Sequence, residues 1–199
     1  MNTNTKTKAT TAYPLVICGV FAAVMAVCSW IAIPLPSGVP INLAVLGVLL
    51  SAGCLGFKYG TLTQLVYVLL GCVGLPVFAG FNGGLHVIAG PTGGYIVGYI
   101  LCAGIVGFIA SRTKSFWALV GAMILGVLAC YAFGTLWYIH LMDITFAVGL
   151  AQCVVPFLPF DAIKIALAAL LVQLLGHGQR DGAAHAAADH GDLFEAIGV

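Results

Sequence analysis

Residues 74–95 read Gly-Leu-Pro-Val-Phe-Ala-Gly-Phe-Asn-Gly-Gly-Leu-His-Val-Ile-Ala-Gly-Pro-Thr-Gly-Gly-Tyr. Seven of these 22 residues are glycine and two are proline, yet none is Lys, Arg, Asp or Glu. Glycine and proline interrupt helices, while the missing charges do not suit an ordinary wet loop. Irregular apolar backbone leaves N–H and C=O groups in need of partners. Inside a membrane protein it is tolerated only where it is buried in protein or lines a cavity. This stretch is therefore the first place to expect a binding site.

The surrounding chain sets that membrane context. It is 62% hydrophobic and 7% charged, with a mean hydropathy of +1.13. A soluble domain carries about 25% charged residues, so this composition marks an integral membrane protein. A net charge of +1 argues against a nucleic-acid partner. The seven cysteines lie singly in apolar runs with no metal-like spacing, and read as small packing residues. Lys6 and Lys8 precede an apolar run, as in a signal peptide. The run from Pro14 to Pro34 is too long for one, and reads as a retained first span.

A helix needs about 20 apolar residues to cross a bilayer. Six runs qualify: 13–33, 41–57, 62–77, 93–110, 116–141 and 159–175. The fifth is long, and Gly134 is a place for it to stop early. A shorter apolar piece, 144–157, carries Gln152 and reads as a connecting segment. The expected fold is an all-α integral membrane protein, a six-transmembrane-helix bundle. Its divisions are an N-terminal segment 1–13, a membrane domain 14–176 and a tail 177–199. Basic residues alternate along the chain: Lys6 and Lys8 before the first span, Lys58 after the second, Arg112 and Lys114 after the fourth, Arg180 after the sixth. The positive-inside rule then puts both termini in the cytoplasm, and the glycine-rich stretch on the outer face. The tail histidines His177, His185 and His190 read as solvated polar groups rather than metal ligands.

Lys164 breaks the alternation. It lies inside the sixth run, three residues after Asp161, so the two share a helix face. Each charge costs about 2.5–3.5 kcal/mol in a span if unpaired. A paired acid and lysine is either bundle glue or the polar floor of a ligand site, and the second reading is preferred. Asn82, Thr92 and Tyr95 are polar side chains of the glycine-rich stretch, while Phe78, Phe81 and Tyr95 are candidate apolar walls. Gly83 and Gly84 let backbone approach a ligand, and His86 is a further candidate contact. Trp30, Trp117 and Trp137, near span ends, read as interfacial belt residues. Ala22 and Ala26 form a small-xxx-small pair that suits packing within the bundle or against a partner subunit. There is no catalytic constellation and no phosphate-binding loop for ATP. The chain is expected not to be an enzyme, and no cofactor or metal is implied.

Gly74-Leu75-Pro76-Val77-Phe78-Ala79-Gly80-Phe81, Gly83-Gly84 and Gly90-Pro91-Thr92-Gly93-Gly94-Tyr95 resemble the signature of BioY, the biotin-specific S component of energy-coupling factor (ECF) transporters. Ile33 to Pro40 is similar to that family's first outer loop, and Asp161 and Lys164 match its acid-and-lysine motif. The resemblance covers roughly residues 14–176. It implies a six-helix bundle in the bacterial cytoplasmic membrane that captures biotin from outside. It also implies a transmembrane coupling protein and two cytosolic ATPases as partners, met through the small-residue face around Ala22 and Ala26. Some members of the family are thought to act without them. The chain departs from the family pattern in two places. Asn42-Leu43-Ala44 stands where Thr-Leu-Gln is common, and Phe160 stands where a glycine often precedes the acid. The competing readings are an S component for a different vitamin, an intramembrane enzyme using Asp161, and a structural subunit without a ligand.

Overall fold

Each long apolar run folds largely into α-helix, the element in which a single segment satisfies its own backbone hydrogen bonds. The computed structural model describes residues 4–113 and 115–175. Lys114 and the tail from 176 onward, with its three histidines and Arg180, lie outside the described residues. The long helices are α1 (Asn4–Trp30), α2 (Ala44–Cys72), α4 (Gly93–Ala110), α5 (Phe116–Met142) and α7 (Leu158–Leu175), with short α3 (Leu85–Ala89) and α6 (Phe146–Cys153) between them. Four of them, α2, α4, α5 and α7, are long and apolar enough to cross a membrane; the apolar part of α1, Leu15–Trp30, is shorter.

The helices do not follow the expected limits everywhere. The first run stops being helix at Trp30, and its last residues form β1 (Ala32–Ile33), paired antiparallel with β2 (Ile41–Asn42). Pro34, Pro36 and Pro40 in the intervening loop supply no backbone N–H to extend either helix. The second and third runs are not separated by a loop around Lys58. They belong to α2, which reverses at one residue, Gly56, with φ 71° and ψ −168°. An unbroken helix would hold Ser51 and Gln64 roughly 20 Å apart; instead Gln64 Nε2 donates to Ser51 Oγ at 2.7 Å. A Cβ on Gly60 would lie 2.7 Å from the Cα of Ala52. The two arms of α2, 44–55 and 57–72, therefore run antiparallel and in contact.

The fifth run does not stop at Gly134 either. α5 continues unbroken to Met142 and ends at Asp143, whose left-handed φ of 51° suits a short polar side chain. Gly134 serves packing instead, since a Cβ there would lie 2.3 Å from the Tyr95 ring of α4. The 144–157 segment holds α6 and the turns at Val154–Phe157. Pro159 then sits in the first turn of α7, where a missing N–H costs nothing. Phe160 needs no special backbone. It is part of that helix, and the Asp161 N–H donates to the Phe157 carbonyl at 2.9 Å.

The bundle has two unlike ends. At one, the Gly56 reversal meets the end of α4, where the Phe57 N–H donates to Ser111 Oγ at 3.2 Å. Lys58 and Arg112 lie at this end, next to those residues in the chain. At the other end gather the β ribbon, the glycine-rich stretch, α6 and the start of α7.

Candidate ligand-binding cavity

At that second end the helices enclose a cavity of about 390 Å³, within the size range of small-molecule sites. The 34–40 loop and β ribbon form one side, the glycine-rich stretch covers it, and α2, α4, α5 and α7 supply the interior wall.

The cover is built by local backbone chemistry. The Phe78 N–H donates to the Asn82 carbonyl at 2.9 Å, and Asn82 Nδ2 donates to the Ala79 carbonyl at 3.0 Å. A turn this tight puts Gly80 (φ 70°) and Phe81 (φ 58°) in the left-handed region. Phe78 points inward, 1% exposed, and its ring occupies the space beside Gly71, where a Cβ would lie 2.0 Å away. It meets the Tyr67 ring edge-on at 5.5 Å. The Tyr67 hydroxyl lies 2.7 Å from Ser29 Oγ and 3.1 Å from the Val77 carbonyl. Two indoles fasten the stretch. Trp30 Nε1 donates to the Pro76 carbonyl at 2.7 Å, and Trp137 Nε1 to the Gly90 carbonyl at 3.1 Å. Their place near span ends, read above as a belt, thus also ties the cover to α1 and α5.

The lining is mostly apolar, with neutral polar side chains on its walls and a charged pair at its floor. There Lys164 Nζ lies 2.6 Å from Asp161 Oδ1, both residues being buried. The Tyr131 hydroxyl of α5 donates to Asp161 Oδ2. Higher on the wall the Tyr95 hydroxyl lies 2.8 Å from Thr135 Oγ1. Among the described residues no cluster of His, Cys, Asp or Glu suits a metal ion.

Of the residues singled out from sequence, Asp161, Lys164, Asn82, Phe78, Thr92 and Tyr95 line this one cavity. Gly83, Gly84 and His86 are not among its lining residues. Gly83 touches backbone, since its Cβ would lie 2.2 Å from the Leu75 carbonyl oxygen, and Gly84 has φ 102°. His86 is exposed. Phe81, expected as an apolar wall, is turned outward instead, and stacks on Trp30 with ring centres 4.8 Å apart. Ala22 and Ala26, which suited packing within the bundle or against a partner subunit, pack within the bundle in this chain. They are 3% and 6% exposed, because their face of α1 also carries Met25, which packs on Gly47 of α2. Tyr131, Tyr99 and Tyr67 line the cavity without having been singled out, and so does Asn42, named above only as a departure from the family pattern. The three tyrosines had a signal: a phenolic hydroxyl inside an apolar span needs a partner there. Asn42 has two tasks, lining the cavity and accepting the Ala44 N–H at 3.1 Å in the first turn of α2.

Comparison with known proteins adds the family. Residues 1–180 match the sequence model of the BioY family. This chain belongs to the BioY family. It is 45% identical to the biotin transporter BioY of Thermotoga maritima over 160 residues, 79% of this chain and 92% of that protein. It is 34% identical to the biotin transporter BioY of Rhodobacter capsulatus over 170 residues, 79% and 90% of the two chains. The fold is similar to the crystal structure of the S-component for biotin from an ECF-type ABC transporter. The TM-score is 0.77 at 28% identity, over 89% of this chain and 95% of that one. BioY is a family of transporters.

Proposed function

We propose that this chain is the substrate-binding S component of an ECF-type vitamin transporter and that its ligand is biotin. The observation that carries the reading is the Asp161–Lys164 pair, buried at the floor of a mostly apolar cavity in a chain of the BioY family. Biotin has an apolar fused ring, a ureido head with two N–H donors and a carbonyl, and an anionic tail. Asp161 is an acceptor for N–H groups. Lys164 is a donor to a carbonyl or a carboxylate. Phe78 and Tyr95 offer apolar faces, Asn82 and Thr92 polar contacts nearer the cover, and Gly83 and Gly84 shape that cover.

Six spans follow if α1, the two arms of α2, α4, α5 and α7 each cross the bilayer. With Lys58 and Arg112 at the Gly56 end, that end faces the cytoplasm with both termini, and the cavity opens outward. The partners on this reading are the coupling protein and two ATPases, in a bacterial cytoplasmic membrane. With Ala22 and Ala26 turned inward, the small residues that the part of α1 from Leu15 onward leaves exposed to a partner are Gly19 and Ala23.

The test is equilibrium biotin binding to the purified chain in nanodiscs, beside a panel of other vitamins. Removing one member of a buried charge pair costs about 2–5 kcal/mol, so Asp161→Asn and Lys164→Ala are each expected to weaken binding roughly 30- to 4000-fold. Unchanged affinity in both variants would remove the assigned site. Saturable binding of another vitamin in preference to biotin would change the ligand.

A further inference from the structure

The acid and lysine at the cavity floor are completed by a third residue from a different helix. Lys164 holds Asp161 Oδ1 from the same face of α7, and the Tyr131 hydroxyl donates to Oδ2 from α5. Asp161 is 2% exposed. A buried carboxylate persists when it is paired and its remaining lone pairs are satisfied. Lysine alone leaves Oδ2 without a donor and leaves the carboxylate plane free to turn about its side-chain torsions. Two donors from two helices fix that plane. A carboxylate has about four acceptor positions, so each oxygen keeps capacity for a further donor from the cavity. Tyr131 itself lines the cavity, as do Tyr67, Tyr99, Cys102 and Cys130, none of which carries a charge in its ordinary form. Among the described residues the only charged groups lining the cavity are therefore Asp161 and Lys164, and they neutralise each other.

We infer that Tyr131 is the positioning residue of this site, holding the Asp161 carboxylate as an oriented acceptor and so favouring ligands that present N–H donors to it. The identity of the ligand rests on the function proposed above; the geometry of the three groups does not. Losing a hydrogen bond to a charged group weakens binding roughly 10- to 100-fold. That is the loss of biotin affinity expected for a folded Tyr131→Phe.

The deciding readout needs no ligand. In infrared difference spectra of the full chain in nanodiscs, the Asp161 carboxylate stretch is identified by its loss in Asp161→Asn. It is expected to shift in Tyr131→Phe. Incorporating 3,5-difluorotyrosine at position 131 keeps the ring and strengthens the donor, so it is expected to shift the band in the opposite direction even if the phenylalanine variant folds poorly. A Tyr131 that only fills space between α5 and α7 leaves the band in place, and that result overturns the inference. So does unchanged biotin affinity in a folded Tyr131→Phe. A wild-type chain that binds no biotin overturns the ligand assignment instead, and the infrared band still decides the role of Tyr131.

Discussion

The chain turns around at both ends of the second arm of α2, and the two turns are built in opposite ways. At the Gly56 end one residue reverses the chain. The arms touch through Gly60 and Ala52, and the Gln64–Ser51 bond joins them. At the other end the chain takes all of residues 73–92 to pass from α2 to α4. It uses them for a tight turn at 78–82, a short helix and two carbonyls held by indoles. A reversal does not need such length, as Gly56 demonstrates. The extra residues enclose space: the long connection lies over the cavity, while the short one leaves its arms in contact. Substitutions at the first end should therefore register in stability, and those at the second in ligand exchange.

The largest effect is expected at Gly56. Its φ of 71° is strained for a residue with a Cβ, and that Cβ would lie 2.7 Å from Ser111 Oγ. Its ψ of −168° puts it in a region nearly closed to residues with a Cβ, so strain of about 1–3 kcal/mol and local overpacking of about 1–3 kcal/mol together predict that Gly56→Val lowers stability by roughly 2–6 kcal/mol. Thermal unfolding of the purified chain measures it. A melting temperature equal to that of the wild type would show that the hairpin does not depend on this residue.

The sequence was most legible where one property decided the outcome. Long uncharged runs had to be helices, and Asp161 with Lys164 had to be together because neither charge is tolerated alone in an apolar span. The glycine-rich stretch was legible as a cavity wall because irregular apolar backbone has few other places to go. What escaped was decided by contact between elements. Gly56, Gly80 and Gly134 look alike in sequence, yet one reverses a helix, one makes a tight turn and one admits a tyrosine ring. Phe78 and Phe81 are three residues apart, and only the fold sends one inward and the other onto Trp30. The inward face of Ala22 and Ala26 was equally hidden, since alanine suits either surface of a helix. Tyr131 was missed because its partner is 30 residues further along the chain.

A smaller effect, and at the other end, is expected for Trp30→Phe. Phenylalanine keeps a ring against Phe81 but removes the Nε1–H that holds the Pro76 carbonyl at 2.7 Å. A hydrogen bond of this kind contributes about 0.5–1.5 kcal/mol net, so biotin should dissociate roughly 2- to 10-fold faster. Unfolding temperature should hardly move. Stopped-flow displacement of a labelled biotin measures the rate. If stability falls instead, as expected for Gly56→Val, the contrast between a structural end and a ligand-exchange end fails.

The smallest effect is expected at Gln64, between the arms of α2. This side chain is fully buried, and its Oε1 has no hydrogen-bond partner, while Nε2 donates to Ser51. Ser51 keeps a partner of its own, because its hydroxyl donates to the Val48 carbonyl at 2.9 Å. Gln64→Met therefore removes one bond, but it also removes an unsatisfied buried oxygen at nearly constant volume. The two contributions oppose each other, the lost bond at about 0.5–1.5 kcal/mol and the relieved oxygen at about 1–3 kcal/mol. The expected change in stability is within about 1.5 kcal/mol, with either no loss or a slight gain, and biotin affinity is unaltered. Thermal unfolding beside Gln64→Ala, which opens a void and should cost more, separates volume from polarity. A loss above about 2 kcal/mol in the methionine variant would mean that Oε1 is bonded after all, with a buried water as the natural donor.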